Sequence, residues 1–305
     1  MCKKILHRAV PAMCTFVAML LSGCYYHTTL DYGYPNGEKY SVGAFTYRAD
    51  EIQAIAVDWY SGAVEIVESD SAELHAQESG TDLPEEAAMH YLLEDGVLRV
   101  RFCASGAKIR VKAEDKQLRL EVPKGVKLSV SVTSASVRAE TLEQDEIKIE
   151  AHSGSTELGT ITANKADLSS SSGAIHAGSI SAQELRCSAS SGSMEMESIS
   201  AKDFACEASS GSVTVGKLTS DTVQVTTSSG SVRLTLAGAP TAQIRTSSGS
   251  VRLTLDKSGA QVAYTSSSGR LHTDCPYTWE NGLYVFGDGE GSITVRTSSG
   301  NLTVQ

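Results

Sequence analysis

Aromatic residues are scarce in this chain. They make up 6% of its 305 residues, with only 2 tryptophans, while glycine, serine, threonine and valine dominate the second half. Such a composition cannot supply a bulky aromatic core, so it favours short strands joined by turns. A chain of this length still suffices for one or two domains.

The chain also lacks a basic run. Its formal net charge is −10, and removal of the first 23 residues would take away Lys3, Lys4 and Arg8 but no acid. An acidic chain without clustered lysine or arginine argues against nucleic acid as a partner.

Long apolar runs are absent after the N-terminus, so no other segment is predicted to span a bilayer. At the N-terminus, three basic residues precede the apolar and small residues 9–21, as in a signal peptide. The stretch ends in Leu21-Ser22-Gly23-Cys24, which resembles the lipobox of bacterial lipoproteins. This resemblance implies cleavage before Cys24 and lipidation of its thiol. The alternative is an ordinary signal peptide that happens to contain a cysteine.

The remaining chain divides by pattern. Residues 24–45 show no clear period and are predicted to tether the domain to the membrane. Residues 46–125 alternate like strands but irregularly, which predicts an N-terminal β cap. Residues 126–305 carry a repeat, interrupted at about 272–292 by a loop or cap segment that could also bind a partner.

The repeat is marked by Ser-Ser-Gly, which occurs seven times, with glycines at 173, 192, 211, 230, 249, 269 and 300. A variant copy holds Gly154, and from there to Gly249 every step is 19 residues. Apolar residues fall at fixed distances from each glycine, for example Ile149, Leu168, Cys187 and Cys206 five residues before it. A fixed short period with alternating apolar residues is typical of a solenoid.

We therefore predict an all-β, single-chain β-solenoid, similar to a β-helix, in which each 19-residue repeat is one coil. Roughly nine coils follow from the repeat count, stacked about 4.8 Å apart. The glycine is expected at a turn whose backbone conformation a side chain would resist. One coil cannot bury its own apolar face, so neighbouring coils must stabilise it.

Four cysteines follow Cys24: Cys103, Cys187, Cys206 and Cys275. Because Cys187 and Cys206 are 19 residues apart, the solenoid stacks them in adjacent coils, within the Cα separation of a disulfide. Parallel Cβ directions disfavour the bridge torsion, so two small buried residues are the stronger interpretation and a disulfide the weaker one. Met194 and Met196, nearby in sequence, fit core filling.

Catalytic chemistry has no clear sequence signal. The outward columns mix acids, bases and hydroxyls, and no column stacks acids in successive coils, as acidic-polysaccharide cleavage or calcium binding would require. The serines recur as turn residues without a histidine and aspartate at a constant offset. We expect no catalytic residue, no metal ligand and no cofactor.

Three segments together resemble a known family. They are the opening Trp59-Tyr60-Ser61-Gly62-Ala63-Val64-Glu65-Ile66, the entry Leu120-Glu121-Val122-Pro123-Lys124-Gly125-Val126, and the Ser-Gly-Ser repeats. The pattern, over about residues 50–305, is similar to the bacterial β-strand-repeat family of "putative adhesins", a domain family of unassigned function. The resemblance implies an all-β repeat fold at the cell surface and no catalytic residues.

The sequence thus predicts a non-enzymatic surface protein, extracytoplasmic and held to the bacterial cell membrane by lipid on Cys24. Its partner would be an envelope protein or a glycan, for adhesion or envelope structure. Two alternatives stay open: a sensory or regulatory envelope lipoprotein, and a carbohydrate-active enzyme of the β-helix type.

The anchor can be tested directly. We expect Cys24→Ala to release the protein from membranes, since no acyl chain could then be attached. Membrane and soluble fractions of expressing cells, compared by immunoblot, measure this. Unchanged membrane retention would contradict the lipoprotein assignment.

Overall fold

The computed structural model describes residues 32–80, 83–108, 116–256 and 258–305. The predicted signal peptide and Cys24 lie outside the described residues. Within them the chain is all-β apart from three 3-10 turns, at Gly37–Lys39, Ala49–Glu51 and Glu85–Ala87. No helix in these ranges is long and apolar enough to cross a membrane.

The strands are numbered along the chain. They are β1 (Ser41–Val42), β2 (Phe45–Arg48), β3 (Ala54–Trp59), β4 (Ala63–Ser69), β5 (Glu73–Ser79), β6 (His90–Glu94), β7 (Val97–Arg101), β8 (Gln117–Pro123), β9 (Lys127–Val132), β10 (Ser136–Ala151), β11 (Thr156–Ser170), β12 (Ile175–Ala189), β13 (Met194–Ala208), β14 (Val213–Thr227), β15 (Val232–Ala237), β16 (Thr241–Thr246), β17 (Val251–Leu255), β18 (Ala260–Ser266), β19 (Leu271–Thr273), β20 (Tyr277–Glu280), β21 (Leu283–Phe286), β22 (Gly291–Thr297) and β23 (Leu302–Val304).

Parallel pairing at the repeat distance builds the solenoid. Strands β10 to β14 each run through most of a coil and pair in parallel with residues 19 positions away, so Ile161, Ile180 and Ile199 form one ladder. Their side chains are at most 2% exposed and fill the interior. The predicted β-solenoid of 19-residue coils is confirmed.

Each coil has three sides. Along β12, buried and exposed residues alternate except at two places, Gly178–Ser179 and Gln183–Glu184, where two successive side chains avoid the core. At each of these two places the strand bends and forms a corner of the coil without ending. The Ser-Ser-Gly turn forms the third corner. The corner at Gln183–Glu184 has no glycine and was not predicted.

At both ends, the coils are stacked out of chain order. The coil formed by β3 and β4 lies between those of β7–β8 and β9–β10. The coil of β22 and β23 lies between those of β16–β17 and β18–β19. The stack therefore holds eleven coils rather than roughly nine, because β3–β4 and β7–β8 in the irregular N-terminal region form two of them.

Antiparallel strands cover both ends. At the N-terminal end β6 pairs with β7 and β5 with β8, and β1 and β2 flank them. At the C-terminal end β21 pairs with β18, and β20 pairs with β21.

The chain is packed against the domain from Tyr32 onward, since the Tyr32 hydroxyl donates to the Asp58 carbonyl (2.9 Å). Within the predicted tether 24–45, residues 32–45 therefore lie against the cap.

The repeated glycines make the closest backbone contacts in the stack. A Cβ added to Gly211 would lie 1.8 Å from the Gly192 carbonyl oxygen, and one added to Gly192 would lie 1.9 Å from that of Gly173. These glycines are absent from the residues with positive φ. The expected reason for them was therefore wrong: stacked turns leave no room for a Cβ, whereas their backbone conformation is one that other residues adopt.

The two stacked cysteines are confirmed as core residues. Cys187 and Cys206 are register partners in β12 and β13, and both are free buried thiols. The Sγ of Cys187 lies 3.8 Å from Met196 Sδ, and that of Cys206 lies 4.0 Å from Met194 Sδ. Burial raises the pKa of the Cys187 thiol to about 12 and that of Cys206 well above its usual value.

The turn ladder predicts a sharp glycine requirement. Gly211→Ala should lower the free energy of unfolding by about 3 kcal/mol, because the new methyl group forces two stacked backbones apart. Gly33→Ala is the control, since its Cβ would meet nothing within 4 Å and should change stability by less than about 0.5 kcal/mol. Urea unfolding measures both, and equal values would refute the ladder.

The thiols should differ in reactivity. In the native protein we expect iodoacetamide to modify Cys275, which is partly exposed, and to spare the buried Cys103, Cys187 and Cys206. In denaturant without reductant all four should react, as counted by mass spectrometry. Two sites blocked until reductant is added would instead show a Cys187–Cys206 disulfide.

Candidate functional site

Residues that repeat in order to stack the coils cannot also form a specific site. Specificity is therefore expected in residues 46–125, in residues 272–292 or in the variable outward columns. Of the named site residues, Cys24 lies outside the described chain, and Cys187 and Cys206 lie in the core, away from solvent. Since neither core cysteine can meet a partner, the surface features decide where a partner could bind.

Inside the N-terminal cap lies a fully buried cation that sequence reasoning missed. The Lys116 ammonium lies 2.6 Å from Glu78 Oε1 and donates to the Ala87 carbonyl (2.5 Å) and to the Phe102 carbonyl. It also lies 4.1 Å from the Phe102 ring centre and 5.0 Å from that of Trp59. Its sequence context, Asp115-Lys116-Gln117, looks like a solvated turn and gives no signal of burial.

Lys116 is a structural residue. Its ammonium group donates to two backbone carbonyls and forms an ion pair with Glu78. Burial lowers the pKa of Lys116 to about 7. Because the group is closed off from solvent, it serves to join β5, β8 and the loops beside them.

A shallow groove of about 1220 Å³ crosses the corner at Gly159 and Gly178, and glutamates line it. Most of these carboxylates have basic partners, as in Glu65–Arg119 (2.7 Å) and Glu157–Arg138 (3.0 Å). Glu140 and Glu197 are three coils apart.

Three coil steps separate those two backbones by about 14 Å, beyond the 6.5–9.5 Å typical of paired glycosidase carboxylates. No group of three His, Cys, Asp or Glu in the described ranges could hold a metal ion. The two glutamates of the groove that have no basic partner are therefore too far apart to act as such a pair.

The hairpin of β20 and β21 is the most exposed apolar feature. Tyr277 is 49% exposed and Trp279 59%, and they are the exposed large hydrophobic residues of the described chain. The Tyr284 ring lies beneath both, with ring centres 5.3 Å from Tyr277 and 4.5 Å from Trp279, in edge-to-face packing. Through β21 and β18 the hairpin is fixed to the last coil.

This aromatic hairpin has the properties of a contact surface. Its rings are held by one another rather than free to rotate, so little entropy is lost on contact, and tyrosine and tryptophan are frequent anchors of interfaces. One edge of β20 has no partner strand among the described residues. The sequence marked this segment as a cap or a binding loop, and the structure shows it capping the last coil while exposing two aromatic rings.

Comparison with known proteins identifies the fold. A "putative adhesin" from Parabacteroides merdae superimposes with a TM-score of 0.55 at 16% identity, covering 90% of this chain and 100% of its own. A "putative lipid binding protein" from Parabacteroides distasonis gives 0.52 at 17% identity, with coverage of 86% and 96%. A "putative adhesin" from the same organism gives 0.51 at 14%, with coverage of 87% and 97%.

At these levels of sequence identity, the comparisons show a shared fold but not a shared function. No curated protein matches the chain. The sequence profile described as Toastrack DUF4097 matches residues 52–305, which is most of the chain. The protein therefore belongs to the Toastrack DUF4097 family.

Proposed function

We propose that this protein is a non-enzymatic, lipid-anchored binding module of the bacterial envelope, which presents its aromatic hairpin to an envelope or host component. The observation that carries this proposal is the exposed pair Tyr277 and Trp279 on a rigid hairpin. Monomeric proteins rarely expose such rings together unless they contact a partner.

The position of the hairpin supports an adhesive role. Tyr32, eight residues after Cys24, packs beside β7 and β8 in the first coil through its bridge to Ala107. The hairpin lies on the last of the eleven coils, about 48 Å away along the axis at 4.8 Å per step. An anchor at Cys24 would therefore hold the opposite end of the solenoid at the membrane and leave the hairpin free to reach outward.

Two other functions are less well supported. The relative described as lipid-binding suggests a lipid ligand, but the solenoid interior is filled by stacked apolar side chains such as Leu185, Phe204 and Val223. A carbohydrate-active enzyme would need convergent carboxylates, and those of the glutamate groove are mostly paired with bases. A sensory lipoprotein would use the same hairpin to contact a regulator and differs from an adhesin in its partner only.

The hairpin can be followed through its own fluorescence. Trp59 is fully buried and Trp279 is exposed, so we expect the red-shifted part of the emission to come from Trp279 and to shift to the blue when a partner covers it. Candidate partners are cell-wall fragments, host glycans and purified envelope proteins. Beads coated with the double variant Tyr277→Ala with Trp279→Ala should bind about tenfold less of any partner that shifts the emission of the parent protein, since two anchors are removed.

Thr278→Ala, on the same exposed strand, is the matched control and should bind like the parent protein. All variants should remain folded, because the altered side chains lie outside the coil interior. The double variant should lose only a few degrees of thermal midpoint, since the packing of two rings on Tyr284 is removed. Full binding by the double variant would show that the hairpin is not the contact surface.

A further inference from the structure

Arginines are stacked upon arginines near the C-terminal end of the solenoid. Arg233 and Arg252 are register partners in β15 and β17, and Arg245 and Arg296 are register partners in β16 and β22. All four side chains are exposed. Because neighbouring strands are about 4.8 Å apart, each pair places two positive charges side by side.

In earlier coils, several register partners at exposed positions carry opposite charges, as in Lys127–Glu146 (3.2 Å) and Arg138–Glu157 (3.0 Å). One like-charged pair, Glu184 and Asp203, also occurs there, but Glu184 has Arg186 beside it at 3.9 Å. None of the four stacked arginines forms an ion pair with a carboxylate of the described residues. Arg245 donates instead to the Gln243 amide oxygen at 3.1 Å.

The strands that carry the arginines contain no acid. Residues 222–226, 241–245, 292–296 and 261–265 form one side of the last four coils, and none is Asp or Glu. The same holds for residues 232–236, 251–255, 302–304 and 271–273, on the other side of the ridge of stacked Ser-Ser-Gly turns. In a chain of net charge −10, these two sides are therefore locally positive, while acids of the last coils such as Asp256, Asp274 and Asp288 lie in the connections between strands.

Like charges directly opposite each other across strands destabilise a sheet. A Glu in either coil would relieve that repulsion, as the earlier coils show. The arrangement is therefore explained best by a ligand that supplies the missing negative charge.

We propose that these arginine pairs, on both sides of the ridge, bind an anionic polysaccharide that carries carboxylate or sulfate groups. Three observations favour a glycan chain. The charges follow the solenoid axis, so a linear polyanion can contact successive coils. Amide and hydroxyl groups of Gln224, Thr226, Gln243, Thr294, Gln261 and Thr265 share the face of Arg245 and Arg296, and they suit a ligand rich in hydroxyl groups.

The third observation is shape. A small groove of about 220 Å³ lies between Arg245 and Arg296, with Gln243 and Thr294 beside it. Its volume is sufficient for one acidic group. The guanidinium plane matches a carboxylate or sulfate with two parallel hydrogen bonds. This inference goes beyond the proposed function and does not need the aromatic hairpin.

The test uses the mature chain without its lipid and three soluble polymers: dextran sulfate, polygalacturonate and neutral dextran. We expect the protein to bind at least one of the two anionic polymers and not dextran. Binding should weaken steeply between 50 and 300 mM NaCl, because contacts with a polyanion release counterions. Biolayer interferometry measures the affinities.

Two double variants locate the site, Arg245→Gln with Arg296→Gln and Arg233→Gln with Arg252→Gln. Each should raise the Kd about tenfold, because two charged contacts are lost. The control pair Arg48→Gln with Arg138→Gln removes the same charge away from the stacked arginines, since Arg138 lies five coil steps, about 24 Å, from Arg233 along the axis. It should leave the Kd unchanged. The thermal midpoint of the stacked-pair variants should stay equal or rise, since repulsion is relieved, so weaker binding could not be attributed to unfolding.

The outcomes are distinct. No binding to either anionic polymer, or an equal loss in the control pair, overturns the inference. Tighter binding to phosphatidylglycerol vesicles than to both polymers overturns it in favour of a membrane surface. If the variant Tyr277→Ala with Trp279→Ala binds the polymer as the parent protein does, the arginine site is separate from the hairpin. That result holds whether or not the proposed function of the hairpin is correct.

Discussion

Direct stacking of one backbone turn upon the next is the constraint on which this structure depends. At each Ser-Ser-Gly the carbonyl of one glycine occupies the space that a Cβ of the next would need. The contact keeps the turns in one ladder, and a coil of different length adjusts away from the turn: Gly269 follows Gly249 by 20 residues and still stacks in the ladder, against Gly300. Once the turns are in register, the apolar columns coincide and the interior fills with stacked side chains from alanine to phenylalanine.

The sequence alone predicted much of this, and its failures have physical reasons. Residues that repeat every 19 positions can be aligned by eye, so the coil and its inward columns were predicted correctly. The order of the end coils was not, because strand alternation in β3, β7 or β18 is the same whichever neighbour the strand meets. The buried Lys116 was also missed, since its partners Glu78, Ala87 and Phe102 come from three separate segments.

The candidate surfaces, too, could be predicted from the sequence only in part. The sequence set the segment at about 272–292 apart from the repeat, and only the structure could show that Tyr277 and Trp279 face solvent there on a supported hairpin. The sequence shows arginines only as members of outward columns that also contain acids and hydroxyl groups. Their significance depends on Arg296 lying next to Arg245, which follows from the insertion of β22 beside β16 and not from the 19-residue step.

That insertion also bears on how the molecule is completed. The chain forms the outermost coil with β18 and β19, turns back through the hairpin, and places its last strands in the gap beneath that coil. Strands β22 and β23 are thus the parallel partners of two coils at once, β16–β17 on one side and β18–β19 on the other. Without them, both neighbouring coils would expose an unpaired sheet edge. The attachment of the outermost coil to the solenoid therefore depends on strands that follow it in the chain.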